Sequence, residues 1–137
     1  MPSIEYRVGN GLVLDDVIEL YRASTLGERR PVDDHERMGE ILQNANLVVS
    51  AWDGDLLVGI ARSLTDFSYA TYLADLAVRA SHQRFGIGKE LMRRTQAAAV
   101  QANLILLAAP KAVEYYPHVG FTQHGSAWIL YAGSEIR

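Results

Sequence analysis

Apolar residues at Leu14, Val17, Ile18 and Tyr21 recur at three- and four-residue steps, the stripe of a helix buried along one side. Met38, Ile41, Leu42 and Ala45 repeat the spacing, with Asp33 or Asp34 placed to cap the start. A polar loop, Leu26–Val32, separates the two. Ile4–Val8 alternates as a short first strand does. Asn46–Trp52 and Leu56–Thr65 read as strands, and Asp53-Gly54-Asp55 between them is a hairpin turn. Asp66–Ser68 makes another turn, and Tyr69–Val78 follows as the next strand. From Gly86 to about Ala102 the period is helical. Leu104–Ala108 is a continuous apolar run, too short for a helix, and predicts a strand buried on both faces. Ala112–Val119 predicts a short helix stopped by Gly120, and Phe121–Tyr131 a closing strand or hairpin. The order β-α-α-β-β-β-α-β-α-β contains one long helical crossover, from Tyr69–Val78 to Leu104–Ala108, of the kind that joins parallel strands. The rest of the sheet is expected to be antiparallel. The fold class is α/β, a mixed sheet in one domain over residues 1–137.

Composition removes several alternatives. A net charge of −3 gives no basic surface for nucleic acid. The chain has no cysteine, which excludes disulfides, thiolate metal sites and a cysteine nucleophile. His35, His82, His118 and His124 show no metal-ligand spacing, so no metal is expected. MPSIEYRV has no apolar signal core, and the apolar tract Ala97–Pro110, interrupted by Gln101 and Asn103, is too short to span a bilayer. A cytoplasmic protein without membrane association is the expectation.

The chemistry is concentrated in Gln83–Leu91, QRFGIGKEL. A Walker A loop needs glycine six positions before its lysine and serine or threonine after it, and Gln83 and Glu90 fail both tests. The dinucleotide fingerprint needs a third glycine where Leu91 stands, with the first one close behind a strand. A lone GxG at a helix start is otherwise only a turn. Here Gln83-Arg84-Phe85-Gly86-Ile87-Gly88 follows a strand ending LADLAV and opens a long helix. That arrangement resembles the pyrophosphate-binding motif of the GNAT-type N-acetyltransferases, whose co-substrate is acetyl-CoA. The residue types suit the task. Gly86 and Gly88 let the main chain approach a diphosphate, amides at a helix start point at it unpaired, and Arg84 and Lys89 add charge. Arg79 and His82 are further candidates for the nucleotide end.

Ala112-Val113-Glu114-Tyr115-Tyr116-Pro117-His118-Val119-Gly120-Phe121 resembles a later segment of the same family. The likeness covers roughly Leu47 to Phe121. It implies a sheet whose two parallel strands splay apart, with the pantetheine arm in the gap. It also implies main-chain pairing of that arm by Ala77 and Val78, and a diphosphate held by Gln83, Arg84, Phe85, Gly86, Ile87, Gly88 and Lys89. Tyr116 aligns with the family's tyrosine near the cofactor sulfur, as general acid. A free thiol has a pKa near 8.5 and a phenol near 10, so hydrogen bonding to the departing thiolate does much of that work. Pro117 pushes Tyr116 toward a helix end, with Tyr115 in reserve, and Ala109 stands where many relatives carry an asparagine.

The acceptor must lose a proton. A lysine-like amine of pKa about 10.4 is roughly one part in two thousand neutral at pH 7, a cost of about 4.6 kcal/mol. Asp75 is the candidate base, with a simple pleat-facing, hydrogen-bonded carboxylate as the plainer account. Asp66 and Glu28 are weaker. Arg29 and Arg30 lie where relatives form the acceptor-side wall and suit either a substrate carboxylate or a solvated turn. Tyr69, Tyr72, Trp52 and Trp128 read as packing. The resemblance implies an N-acetyltransferase acting on a small-molecule or peptide amine by direct attack. The alternative is a non-catalytic acyl-CoA-binding sensor or regulatory module. A homodimer through Trp128–Tyr131 is a further expectation.

Overall fold

The computed structural model describes residues 3–137. The chain divides into two compact units, one running to Leu107 and one from Ala108 to Arg137. The first is built on a five-stranded sheet in sequential order: β1 (Glu5–Val8), β2 (Leu47–Asp53), β3 (Leu56–Thr65), β4 (Ala70–Val78) and β5 (Asn103–Leu106). The first three pairings are antiparallel and β4–β5 is parallel. That is the crossover topology expected of the long helix between them.

Helix α1 (Leu14–Arg22) buries Val17, Ile18, Leu20 and Tyr21. Helix α2 (His35–Gln43) starts where the Asp34 carboxylate accepts from the Arg37 amide at 3.0 Å, satisfying one otherwise orphaned donor. Both helices share a core with Val48, Ile60 and Ala77 of the sheet. Helix α3 (Ile87–Ala98) packs on β2 and β3 with Ile87, Leu91, Met92 and Thr95 inward. Gly59 makes that approach possible: a Cβ there would lie 3.0 Å from Leu91 Cδ1 and 3.1 Å from Ile87 Cγ2.

Three expectations are corrected. The run Leu104–Ala108 is not a strand buried on both faces. Only Asn103–Leu106 is extended, it ends the sheet, and Ile105 is half exposed. The predicted helix Ala112–Val119 is replaced by two 3-10 turns, Pro110–Ala112 and Tyr116–Val119, because Pro117 has no N–H to continue a helix. No strand forms in Phe121–Tyr131, and Trp128 is 93% exposed. Apolar alternation marks a segment able to join a sheet, but a ladder also needs a partner edge. Among the described residues no helix is long and apolar enough to cross a membrane.

Candidate functional site

The site begins where the parallel strands part. Their last paired residues are Leu73 and Leu106, whereas β4 continues to Val78. At the same point the β3–β4 register shifts, so that Ser63 faces Leu73 but Arg62 faces Asp75, leaving Ala74 bulged. A bulge of this kind bends its strand and strengthens the local twist.

The open edge of β4 follows from one hydrogen bond. The Arg79 amide donates to Val58 O at 2.8 Å, making that a hydrogen-bonded pair. Pairs alternate along an antiparallel ladder. Ala77 and Asp75 therefore direct their N–H and C=O at Ile60 and Arg62, while Leu76 and Val78 turn theirs away from β3. Of the pair named for the pantetheine arm, Val78 turns its main chain to the open edge, whereas that of Ala77 is engaged by β3 and Leu76 faces the edge instead.

Beyond β4 the chain turns through Gln83–Gly86 into α3. Arg84 has φ +71° and Gly86 φ +79°, two left-handed residues separated by Phe85. Where left-handed residues alternate with right-handed ones in a turn, successive amides can converge on an anion. For arginine the conformation is strained, which sequence reading did not anticipate. None of the amides from Arg84 to Lys89 finds an acceptor among the described residues; the first helical bond is Glu90 N–H to Gly86 O, at 3.1 Å. A Cβ at Gly86 meets nothing within 4 Å, and one at Gly88 only Val78 Cγ2 at 3.7 Å. The protein's own packing thus leaves room above both glycines. Arg84 and Lys89 are exposed and make no ion pair among the described residues. Phe85 is 41% exposed, whereas Ile87 is buried against the sheet. Gln83 turns back, its Nε2 donating to Val78 O at 3.1 Å.

Arg79 and His82 are engaged elsewhere, contrary to the nucleotide role considered for them. Arg79 donates to both Glu19 oxygens, at 2.7 and 2.6 Å, and to Leu57 O at 2.8 Å. His82 lies 2.8 Å from Asp53 Oδ2 and 2.8 Å from Ser81 Oγ.

Asp75 sits behind the edge, 1% exposed. Its Oδ2 accepts from Arg62 Nε and from the Tyr21 hydroxyl, both at 2.6 Å, and its Oδ1 from Arg30 Nε at 2.6 Å. Burial would raise its pKa, but the Arg62 hydrogen bond and charge, the Tyr21 hydroxyl and Arg30 outweigh it and hold the carboxyl below its ordinary value. Burial, then the Asp75 charge, push the Tyr21 phenol well above its own. This is the hydrogen-bonded, pleat-facing carboxylate. Arg30 is correspondingly no free wall for a substrate carboxylate, since its Nη2 also donates to Ala74 O at 2.8 Å. The signal for this cluster was present in the sequence, as Arg62 and Asp75, the one charged residue in each of two largely apolar strands.

In the second unit Tyr116 opens the turn Tyr116–Val119, with Pro117 next and Gly120 closing it at φ +99°. Its ring meets those of Tyr115 and Phe121 edge-on, each with centroids 5.4 Å apart.

Residues 25–129 match the family described as Acetyltransferase (GNAT) domain. The chain is similar to an uncharacterized ycf52-like N-acetyltransferase of Prochlorococcus marinus, 32% identical over an alignment of 117 positions that covers 78% of this chain and 63% of that relative. It thus spans less than two thirds of that protein's length. Among solved structures, it is similar to a GNAT-family acetyltransferase of Streptococcus pneumoniae, with a TM-score of 0.76, 28% identity, and coverage of 93% of this chain and 98% of that one. An aminoglycoside N-acetyltransferase in complex with CoA shares the fold, with a TM-score of 0.73, 19% identity, and coverage of 96% and 95%. The family match takes in the splayed strands, the glycine turn and the Tyr116 turn alike, and the chain belongs to the GNAT acetyltransferase family.

Proposed function

We propose that the chain is an acetyl-CoA-dependent N-acetyltransferase, moving an acetyl group to a primary amine of a small molecule or peptide by direct attack within a ternary complex. The observation that carries this reading is the run of amides from Arg84 to Lys89 that find no acceptor among the described residues, with open space above Gly86 and Gly88. Diphosphate oxygens suit those donors at a helix start, and Arg84 and Lys89 add charge. Acetyl-CoA supplies the acyl group as an activated thioester. Leu76 and Val78 hold its arm at the β4 edge. Tyr116 protonates or hydrogen-bonds the leaving thiolate, an assignment that rests on the residue-by-residue resemblance. Asp75, buried and held by two guanidiniums, keeps β4 in place, so the acceptor proton leaves through water. A homodimer is part of the proposal, supported by the exposure of Trp128 and Tyr131 and checked by sedimentation.

The test is release of free thiol from acetyl-CoA across a panel of chemically diverse amines. Tyr116→Phe is expected to lower turnover by about a hundredfold or more while CoA binding persists, and Gly86→Glu to abolish binding. A chain that binds no CoA ends the proposal. The second reading, a non-catalytic acyl-CoA sensor, draws on the position of Tyr116 ahead of Pro117 and on the engaged Asp75. Tight CoA binding without turnover of any amine selects it.

A further inference from the structure

We infer that Arg30 and Gln83 are register stops, positioning residues that fix where along β4 the pantetheine arm pairs. The inference rests on the reading of β4 as the cofactor edge. Past the last β4–β5 pair, carbonyls are offered at Ala74, Leu76 and Val78, two residues apart. Arg30 Nη2 occupies the first at 2.8 Å and Gln83 Nε2 the last at 3.1 Å. Between them the ladder leaves the Leu76 N–H, the Leu76 C=O and the Val78 N–H facing the open edge.

Such a window matters because the arm carries two secondary amides and can pair with a strand edge as another strand does. A bare edge repeats every two residues, about 6.7 Å, and specifies register weakly. A slip of one step would carry the thioester about that far from any acceptor. Blocking the two outer carbonyls leaves a single acceptor flanked by donors, and one register.

Arg30 is not needed to neutralise Asp75. Arg62 and Tyr21 already bind that carboxylate, each at 2.6 Å, and one guanidinium balances its charge. What Arg30 adds is the bond to Ala74 O. Its approach is set by the turn Thr25–Arg29, held against α1 at Gly27, where a Cβ would stand 2.6 Å from Tyr21 O. The acceptor-side loop is thereby tied to the bulge at which the strands part.

The experiment compares two ligands on the full chain by calorimetry: CoA, which has the arm, and ADP, which has the diphosphate without it. Arg30 and Gln83 bond β4 and not the arm, so Arg30→Met is expected to leave CoA and ADP affinity unchanged within about twofold. In turnover with an amine the panel identifies, slipped registers hold the thioester away from the acceptor, so kcat and the KM for acetyl-CoA fall together by about twofold or more while kcat/KM stays level. Gln83→Met, at an exposed position that does not threaten folding, gives the same paired fall. CoA affinity that weakens while ADP affinity does not, or kcat and KM unchanged in both variants, overturns the inference. Wild-type chain that binds ADP but not CoA overturns the cofactor reading itself, before any variant is made.

Discussion

Replacing Asp75 with asparagine isolates the buried cluster. The substitution keeps the side chain's size but removes the charge facing Arg62 and Arg30, whose side chains are 11% and 24% exposed. Breaking a buried ion pair from one side costs about 3–5 kcal/mol, because the partner's charge stays buried. Arg30 regains some water, which places the expectation toward the lower figure. At roughly 2.1 cal/mol/K per residue, 137 residues give about 3.5 °C per kcal/mol. Asp75→Asn should therefore lower the melting temperature by about 10–17 °C, measured by calorimetry at pH 7. The pH dependence adds a second reading. Because the folded-state pKa lies below the unfolded one, the Asp75 contribution is fully present above about 3.9 and is lost as pH falls through the lower, folded value. Wild type and variant should thus begin to converge in stability as pH falls below about 4 and meet only below the folded value. A variant that melts within 2 °C or so of wild type yet has lost its turnover would refute this reasoning and return Asp75 to the role of base.

Gly59→Ala should cost about 1–3 kcal/mol by overpacking α3 against β3, read as a lower melting temperature. Arg84→Gly should relieve the left-handed strain and raise the melting temperature by a few degrees, while calorimetry shows weaker CoA binding. Gly86→Ala should cost about 1 kcal/mol of stability at its φ of +79°, and its new Cβ should weaken CoA further in the same titration.

How far the sequence could be read depended on whether a feature was local. Helical stripes such as Val17, Ile18 and Tyr21, and the turn Asp53-Gly54-Asp55, are set by neighbours a few residues away, and they appear where the spacing puts them. The tail failed for the opposite reason: Phe121–Tyr131 has the composition of a strand, but pairing depends on a distant edge. The β4 edge shows the limit most sharply. Thr71, Leu73, Asp75 and Ala77 are all buried, as alternation on a single face would give. Yet Leu73 stands opposite Ser63 and Asp75 opposite Arg62, adjacent residues of β3 that point to opposite faces. The unpaired Ala74 moves the buried set from one side of the sheet to the other. Both sides are covered by helices, so hydrophobicity does not register the change. The same extra residue reverses which amides face outward, and that is why the resemblance points to Ala77 where the ladder offers Leu76. A motif can thus announce that a strand edge binds a ligand, while the atoms that bind it are chosen by a bulge the residue pattern cannot reveal.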